Sequence, residues 1–177
     1  EVVPWIKKLT DTIHDHDCKI MIQLTHLGRR TSWSKGDWLP SLSSGKHREP
    51  AHKAFPKVME SWDIERIIKE YGDAAERMKE GGMDGVELEG QGHLIGQFLS
   101  PLTNELSTEY GGNLKNRLRF TIDVLTEIRK KVGKDFIVGI RCVFDEVEKG
   151  GITKSEGFNI AKILSKSGLV DYLNVNR

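Results

Sequence analysis

Apolar positions along the chain follow two alternating rhythms. From Trp5 to His14 they fall at Trp5, Ile6, Leu9 and Ile13, the spacing of one helical face, with Pro4 suited to a first turn. Lys19 to Leu24 is a short apolar run before Gly28, too brief for a helix, and predicts a strand. A long polar segment runs from His26 to Ser61. The helical rhythm returns from about Trp62 to Glu80, with Ser61 as the expected N-cap and Gly81-Gly82 as the stop. Met83 to Glu89 is the second expected strand. Asn113 is placed to cap a third helix carrying Leu118, Ile122, Leu125, Ile128 and Val132, which Gly133 ends. Phe136 to Arg141 gives a third strand. Thr153-Lys-Ser-Glu156 has the form of a capping box, opening a fourth helix that ends before Gly168, and Asp171 to Asn176 gives a fourth strand.

Helix then strand, four times over, with strands hydrophobic enough to be covered on both faces, predicts a parallel α/β protein with right-handed crossovers. An eight-stranded β/α barrel takes about 250 residues. Four strands with long loops in 177 residues are about half of a longer version. A first helix with no strand before it, and a last strand at the final residue, lead us to expect a fragment of a single barrel domain over 1–177. A small, complete doubly wound domain is the alternative.

Composition narrows the function. With 30% charged and 37% hydrophobic residues the chain is globular rather than disordered or coiled coil. Its 27 basic and 26 acidic side chains leave a net charge of +1 without a basic run or acidic tail, which argues against a nucleic-acid or membrane-surface binder and for small-molecule partners. No stretch approaches the roughly 18 apolar residues of a membrane span, and Glu1-Val-Val-Pro is neither a signal peptide nor an initiator methionine. Cys18 and Cys142 lie in no metal or redox spacing and suit a reducing cytoplasm.

In parallel α/β folds the ligand lies beyond the carboxyl ends of the strands, so chemistry is sought there. Gln23 presents an amide that donates and accepts, and Arg141 a fixed cation. Together they suit a flat heterocycle that gains negative charge on reduction. The plainer reading is a satisfied glutamine and a surface arginine. Glu89, Gln91 and His93 form a second cluster in a glycine-rich turn. His93 is suited to donating a hydrogen bond or a proton, or merely to capping the next helix, and Glu87 and Glu89 to pairing with arginines. A third possibility is a metal held by Glu87, Glu89, His93 and His26, disfavoured because Glu87 lies deep in its strand. The loop bearing Gln97, Asn104, Asn116 and Arg117 reads as structural, its backbone tied by the last three. Trp33 and Trp38 suit a lid or substrate wall as well as packing.

Gln23-Leu-x-His26-x-Gly28-Arg29, Gly82-Met-Asp-Gly-Val-Glu87, Gln97-Phe-Leu-Ser-Pro101, Asn104, the block from Tyr110-Gly-Gly to Asn116-Arg117-x-Arg119-Phe120, and Val138-Gly-Ile-Arg141 together resemble the Old Yellow Enzyme family of FMN-dependent oxidoreductases. The resemblance covers essentially the whole chain. It implies a (β/α)8 barrel, of which these residues would be strands three to six. It also implies FMN as cofactor, with Gln23 and Arg141 in the positions of the family's flavin-contacting residues. Where the family has a His-x-x-His or His-x-x-Asn pair and then a tyrosine proton donor, this chain has Glu89-Gly-Gln91-Gly-His93-Leu, one residue shorter and without the tyrosine. Gln91 or His93 is then the expected catalytic replacement, with His26, Glu89 and Trp33 toward the substrate. Leu106 and Thr108 also stand where members often carry Arg and Asp.

The shortened turn, Arg141-x-Val-x-Asp145-Glu146 and the tryptophan loop are similar to the branch of trimethylamine and dimethylamine dehydrogenases and methylamine or betaine demethylases. The resemblance implies hydride transfer at flavin N5 from a methylated amine or betaine-like substrate. Its alternative is an NAD(P)H-dependent ene reductase or 2,4-dienoyl-CoA reductase. It leaves room for NAD(P)H or an electron-transfer partner, and for a homo-oligomer. The rival from another class is a metal-dependent barrel lyase or isomerase.

Overall fold

A computed structural model describes residues 1–31, 40–49 and 55–176. Four strands, β1 (Met21–Leu24), β4 (Gly85–Gly90), β5 (Ile137–Val143) and β6 (Tyr172–Asn176), form one parallel sheet in the order β1-β4-β5-β6. Helices α1 (Val3–His14), α2 (Ser61–Glu80), α4 (Leu114–Val132) and α5 (Lys154–Lys166) alternate with them as the hydrophobic rhythm predicts.

Register explains both faces of the sheet. Gln23, Glu87, Gly139 and Tyr172 are lateral partners, as are Glu89, Arg141 and Asn174 one pleat repeat further on. These residues alternate with Val86, Leu88, Val138, Ile140 and Cys142, all fully buried on the helix-covered face. That face meets a core in which Phe98 stacks on Phe120 at 4.1 Å between centroids. The opposite face is polar.

Several local details depart from the sequence expectations. The N-cap of α2 is Glu60 rather than Ser61, because the Asp63 carboxylate reaches back to accept from the Glu60 N–H at 3.0 Å. Thr153 caps α5 as expected, accepting from the Glu156 N–H at 3.3 Å. The reciprocal arm of that box is diverted, since Glu156 instead accepts from Arg117 Nη2 at 2.6 Å. On α1 the buried positions are Ile6 and Thr10, while Trp5 and Leu9 are exposed. Thr10 Oγ1 donates to the Gly81 carbonyl at 2.6 Å, and Ile6 and Thr10, four residues apart on α1, set which side of the helix meets the α2 turn.

The polar segment is not structureless. It contains a short helix, η1 (Gly28–Arg30), and a two-stranded parallel pair, β2 (Leu42–Ser43) with β3 (Lys57–Val58). The turn after β4 leads into a further short helix, α3 (Leu94–Leu99). Gln97, buried on α3, ties these pieces together. Its Oε1 accepts from the Arg29 N–H at 3.1 Å and Ser43 Oγ at 3.0 Å, and its Nε2 donates to the Gly92 carbonyl at 3.0 Å. Gly28 has φ +61°, and a Cβ there would fall 2.2 Å from Gln97 Oε1, so only glycine admits this approach.

Candidate functional site

The carboxyl ends of the four strands bring most of the expected residues onto one face. Gln23 lies on β1 and Arg141 on β5, with β4 between them. The Gln23 amide donates to Glu87 Oε1 at 2.8 Å. Glu87 Oε2 accepts from the Tyr172 hydroxyl at 2.9 Å and from Asn174 Nδ2 at 3.1 Å. Burial first, then the hydrogen bond to Glu87 and its charge, push the Tyr172 phenol up to about 12.

One pleat repeat further, Glu89 is buried beside its lateral partner Arg141. One oxygen accepts from the Gln91 N–H at 2.7 Å, and the other stands 3.8 Å from Arg141 Nη1. That distance is an ion pair without a tight hydrogen bond. Arg141 Nε is buried and has no hydrogen-bond partner. Gln91 Oε1 accepts from the Asn176 amide.

His93 occupies the N-cap position of α3, yet its side chain makes no capping bond. The ring spans two other elements instead. Nε2 lies 3.3 Å from Arg30 Nη1 and Nδ1 lies 3.2 Å from Thr25 Oγ1. A guanidinium only donates, so Nε2 is the acceptor and the proton sits on Nδ1, directed to the threonine. Burial and then the Arg30 cation lower the His93 pKa, against the Glu89 carboxylate, which keeps the ring neutral at pH 7.

His26 does not join this face. It sits on the opposite side of β1 and lines a cavity of about 170 Å³ with Ile67, Glu70, Tyr71 and Ala74 of α2. Its Nδ1 accepts from the Gly28 N–H at 3.0 Å, and its backbone N–H donates to the Tyr71 hydroxyl at 3.0 Å. The alternation of side chains along β1, with Gln23 and Thr25 on one face and Leu24 and His26 on the other, is the reason. Trp33 lies outside the described residues. Among the described residues no group of three or more His, Cys, Asp or Glu is arranged to hold a metal ion, so the four-ligand set of His26, Glu87, Glu89 and His93 does not form.

The loop between α3 and α4 is structural. Asn104 Nδ2 donates to the carbonyls of Phe98 and Tyr110 at 2.7 and 2.8 Å. Arg117, buried, donates to the carbonyls of Leu99 and Gly112 as well as to Glu156. Asn116 contributes through its N–H, accepted by the Asn113 cap at 3.0 Å. Glu146 is likewise occupied, accepting from Ser100 Oγ and the Ile152 N–H. Thr25, Arg30 and Tyr172, polar or aromatic residues at or near the strand ends to which the sequence assigned no role, also take part in the site. Period-two spacing from Gln23 and Asn174 would have pointed to Thr25 and Tyr172, whereas Arg30 is delivered by η1 and carried no such signal.

The strand-tip face fits a flat, polar ring that accepts negative charge. Arg141 keeps a buried, unpartnered donor, Gln23 presents an exposed amide, and the two stand on one face. A model of the NADH:flavin oxidoreductase / NADH oxidase family matches residues 1–175. The chain is 62% identical over 177 residues to the probable N-methylproline demethylase of Rhizobium meliloti (strain 1021), covering 100% of this chain and 26% of that protein. It is 43% identical over 174 residues to the multifunctional alkene reductase/demethylase OYE of Caballeronia cordobensis, covering 98% of this chain and 25% of that protein. The chain thus spans about a quarter of the length of these curated relatives. Among solved structures, 2-naphthoyl-CoA reductase in complex with 2-naphthoyl-CoA superposes with a TM-score of 0.87 at 30% identity, over 98% of this chain and 29% of that one. The parallel sheet is accordingly part of a (β/α)8 barrel. With the family pattern running from its first residue to residue 175, the chain belongs to the NADH:flavin oxidoreductase / NADH oxidase family, the FMN-dependent oxidoreductases of Old Yellow Enzyme type.

Proposed function

We propose that this chain is the flavin-facing part of an FMN-dependent oxidoreductase that removes a methyl group oxidatively from a methylated amine, N-methylproline foremost. The observation that carries this reading is the state of His93. Held neutral, with its proton directed to Thr25 and its other nitrogen facing Arg30, it is not poised to protonate a substrate. Reduction of an activated alkene needs a proton delivered to carbon, whereas oxidation of an amine C–H needs none. The name of the Rhizobium relative supports the same choice.

FMN, when bound, supplies the hydride acceptor at N5. Arg141 would lie toward the part of the ring that gains negative charge, its guanidinium flanked by Glu89. Gln23 would hydrogen-bond the polar edge of the ring, and Gln91, fixed by Asn176 and Glu89, would border the substrate. As hydride leaves the methyl carbon, the nitrogen lone pair forms the carbon–nitrogen double bond. Water then releases formaldehyde and the demethylated amine. The two electrons then pass from the reduced cofactor to an acceptor, oxidised NAD(P)+ or an electron-transfer partner, which completes the balance. Both cysteines are free thiols, which supports a cytoplasmic setting, and among the described residues no helix is long and apolar enough to cross a membrane.

The test is an anaerobic titration of the full-length flavoprotein with N-methylproline, followed by visible absorbance and a formaldehyde assay. Bleaching by the amine alone, with formaldehyde released, is the expected result. Bleaching by NADPH with no response to the amine would transfer the assignment to alkene reduction, the other activity in the name of the Caballeronia relative. A colourless protein that takes up no added FMN would remove the flavin roles of Gln23 and Arg141.

A further inference from the structure

Glu87 sits in the middle of β4, on the face that carries Gln23 and Arg141 but below the strand tips. Its two oxygens are reached from opposite sides. Oε1 takes the Gln23 amide from β1, and Oε2 takes Tyr172 and Asn174 from β6. Strand β6 is not adjacent to β4, because β5 lies between them. At this register β5 carries Gly139, where a Cβ would fall 2.1 Å from Tyr172 Cζ. The missing side chain at 139 is therefore what lets the tyrosine ring cross β5 and place its hydroxyl on Glu87.

This network settles the polarity of the Gln23 side chain. A carboxylate offers acceptors only, so an amide that faces it must turn its nitrogen inward. The carbonyl oxygen of Gln23 is then left on the exposed side, where no donor among the described residues takes it up. Tyr172 and Asn174 bind the other carboxylate oxygen and so hold Glu87 from swinging away. The strand-tip face thus presents an acceptor from Gln23 and a donor from Arg141, in fixed order.

We propose that Glu87 is a positioning residue that locks the Gln23 amide with its oxygen toward the cofactor, so that the site selects a ring bringing an N–H donor to that edge. The isoalloxazine imide, with its N3–H, is such a ring. The proposal rests on the FMN reading above and adds to it the residue that determines which edge of the ring is read.

The experiment compares binding of FMN and of N3-methylated FMN to the full-length protein, stripped of flavin and titrated by fluorescence. The wild type is expected to prefer FMN by about tenfold or more, the loss of one well-placed hydrogen bond. In Glu87→Gln the new amide can donate to the Gln23 oxygen, which releases the lock, and the preference falls to about threefold or less. Tyr172→Phe removes one of the two bonds on Glu87 Oε2 but leaves that from Asn174 and the contact with Gln23, and keeps the preference. Equal affinity of the wild type for the two flavins overturns the proposal whether or not Glu87→Gln folds, and so does a Glu87→Gln protein with the wild-type preference. A wild type that takes up neither flavin overturns the FMN reading itself, which sets that failure apart.

Discussion

At the scale of single residues, the cluster owes its character to which atoms are already committed. Arg141 has one distant carboxylate and an unpartnered Nε, so its charge is available to a ligand. On the flavin reading, Arg141→Ala should weaken FMN retention by about 2 kcal/mol, the scale of a hydrogen bond to a charged group, and lower the flavin reduction potential. Unchanged retention together with an unchanged potential would remove it from the flavin site. Arg30 acts on His93 through its charge and its N–H. Replacing it by Gln removes a cation that opposes protonation, so the His93 pKa should rise when followed by the NMR shift of its ring protons. A fall, or no movement, would show that the contact is not made in solution.

Between elements, buried polar side chains take the place of regular hydrogen bonding. Gln97 serves η1, β2 and the turn after β4 with one amide, so Gln97→Leu should destabilise the protein by at least about 3 kcal/mol in denaturant unfolding. A loss under 1 kcal/mol would mean that water replaces these bonds. The sequence showed this loop as dense in amides and cations and marked it structural, and Asn104 and Arg117 behave so. It did not show the β2–β3 pair, because two-residue strands have no period to detect and their pairing is decided by residues far away in the chain. Nor could it distinguish Glu60 from Ser61 as the cap, since that depends on which way the Asp63 side chain turns.

Across the whole molecule, the two ends of the sheet divide their duties. At the amino ends Asp84 accepts from the Ile20 N–H, pairs with His14 and Lys19, and so joins α1, β1 and β4. Burial alone would raise its pKa, but these partners outweigh it and hold the carboxyl at about 2. A folded pKa below the unfolded value of about 3.9 contributes stability that is present above pH 4 and lost as the pH falls toward 2. Asp84→Asn should therefore unfold more easily than wild type at neutral pH, and the difference should shrink between about pH 4 and pH 2. A difference that does not change with pH would rule out the charge as the cause. In the core, Phe98→Ala opens a cavity against Phe120 and should cost about 3–5 kcal/mol.

The sequence by itself determined the alternation of helix and strand, the helix-covered hydrophobic face and the list of polar groups at the strand ends, because each follows from local periodicity and capping. Its motifs also carried the family, and through it the barrel and FMN. Only the tertiary structure decided how those polar groups divide. Parallel register set Gln23 beside Glu87 and Arg141 beside Glu89, while side-chain alternation turned His26 away to α2. A glycine on β5 let Tyr172 cross to Glu87, and a short helix brought Arg30 to His93. These choices rest on contacts between residues far apart in the chain, 63 positions for Arg30 and His93 and 85 for Tyr172 and Glu87, where no local pattern records which partner a side chain meets.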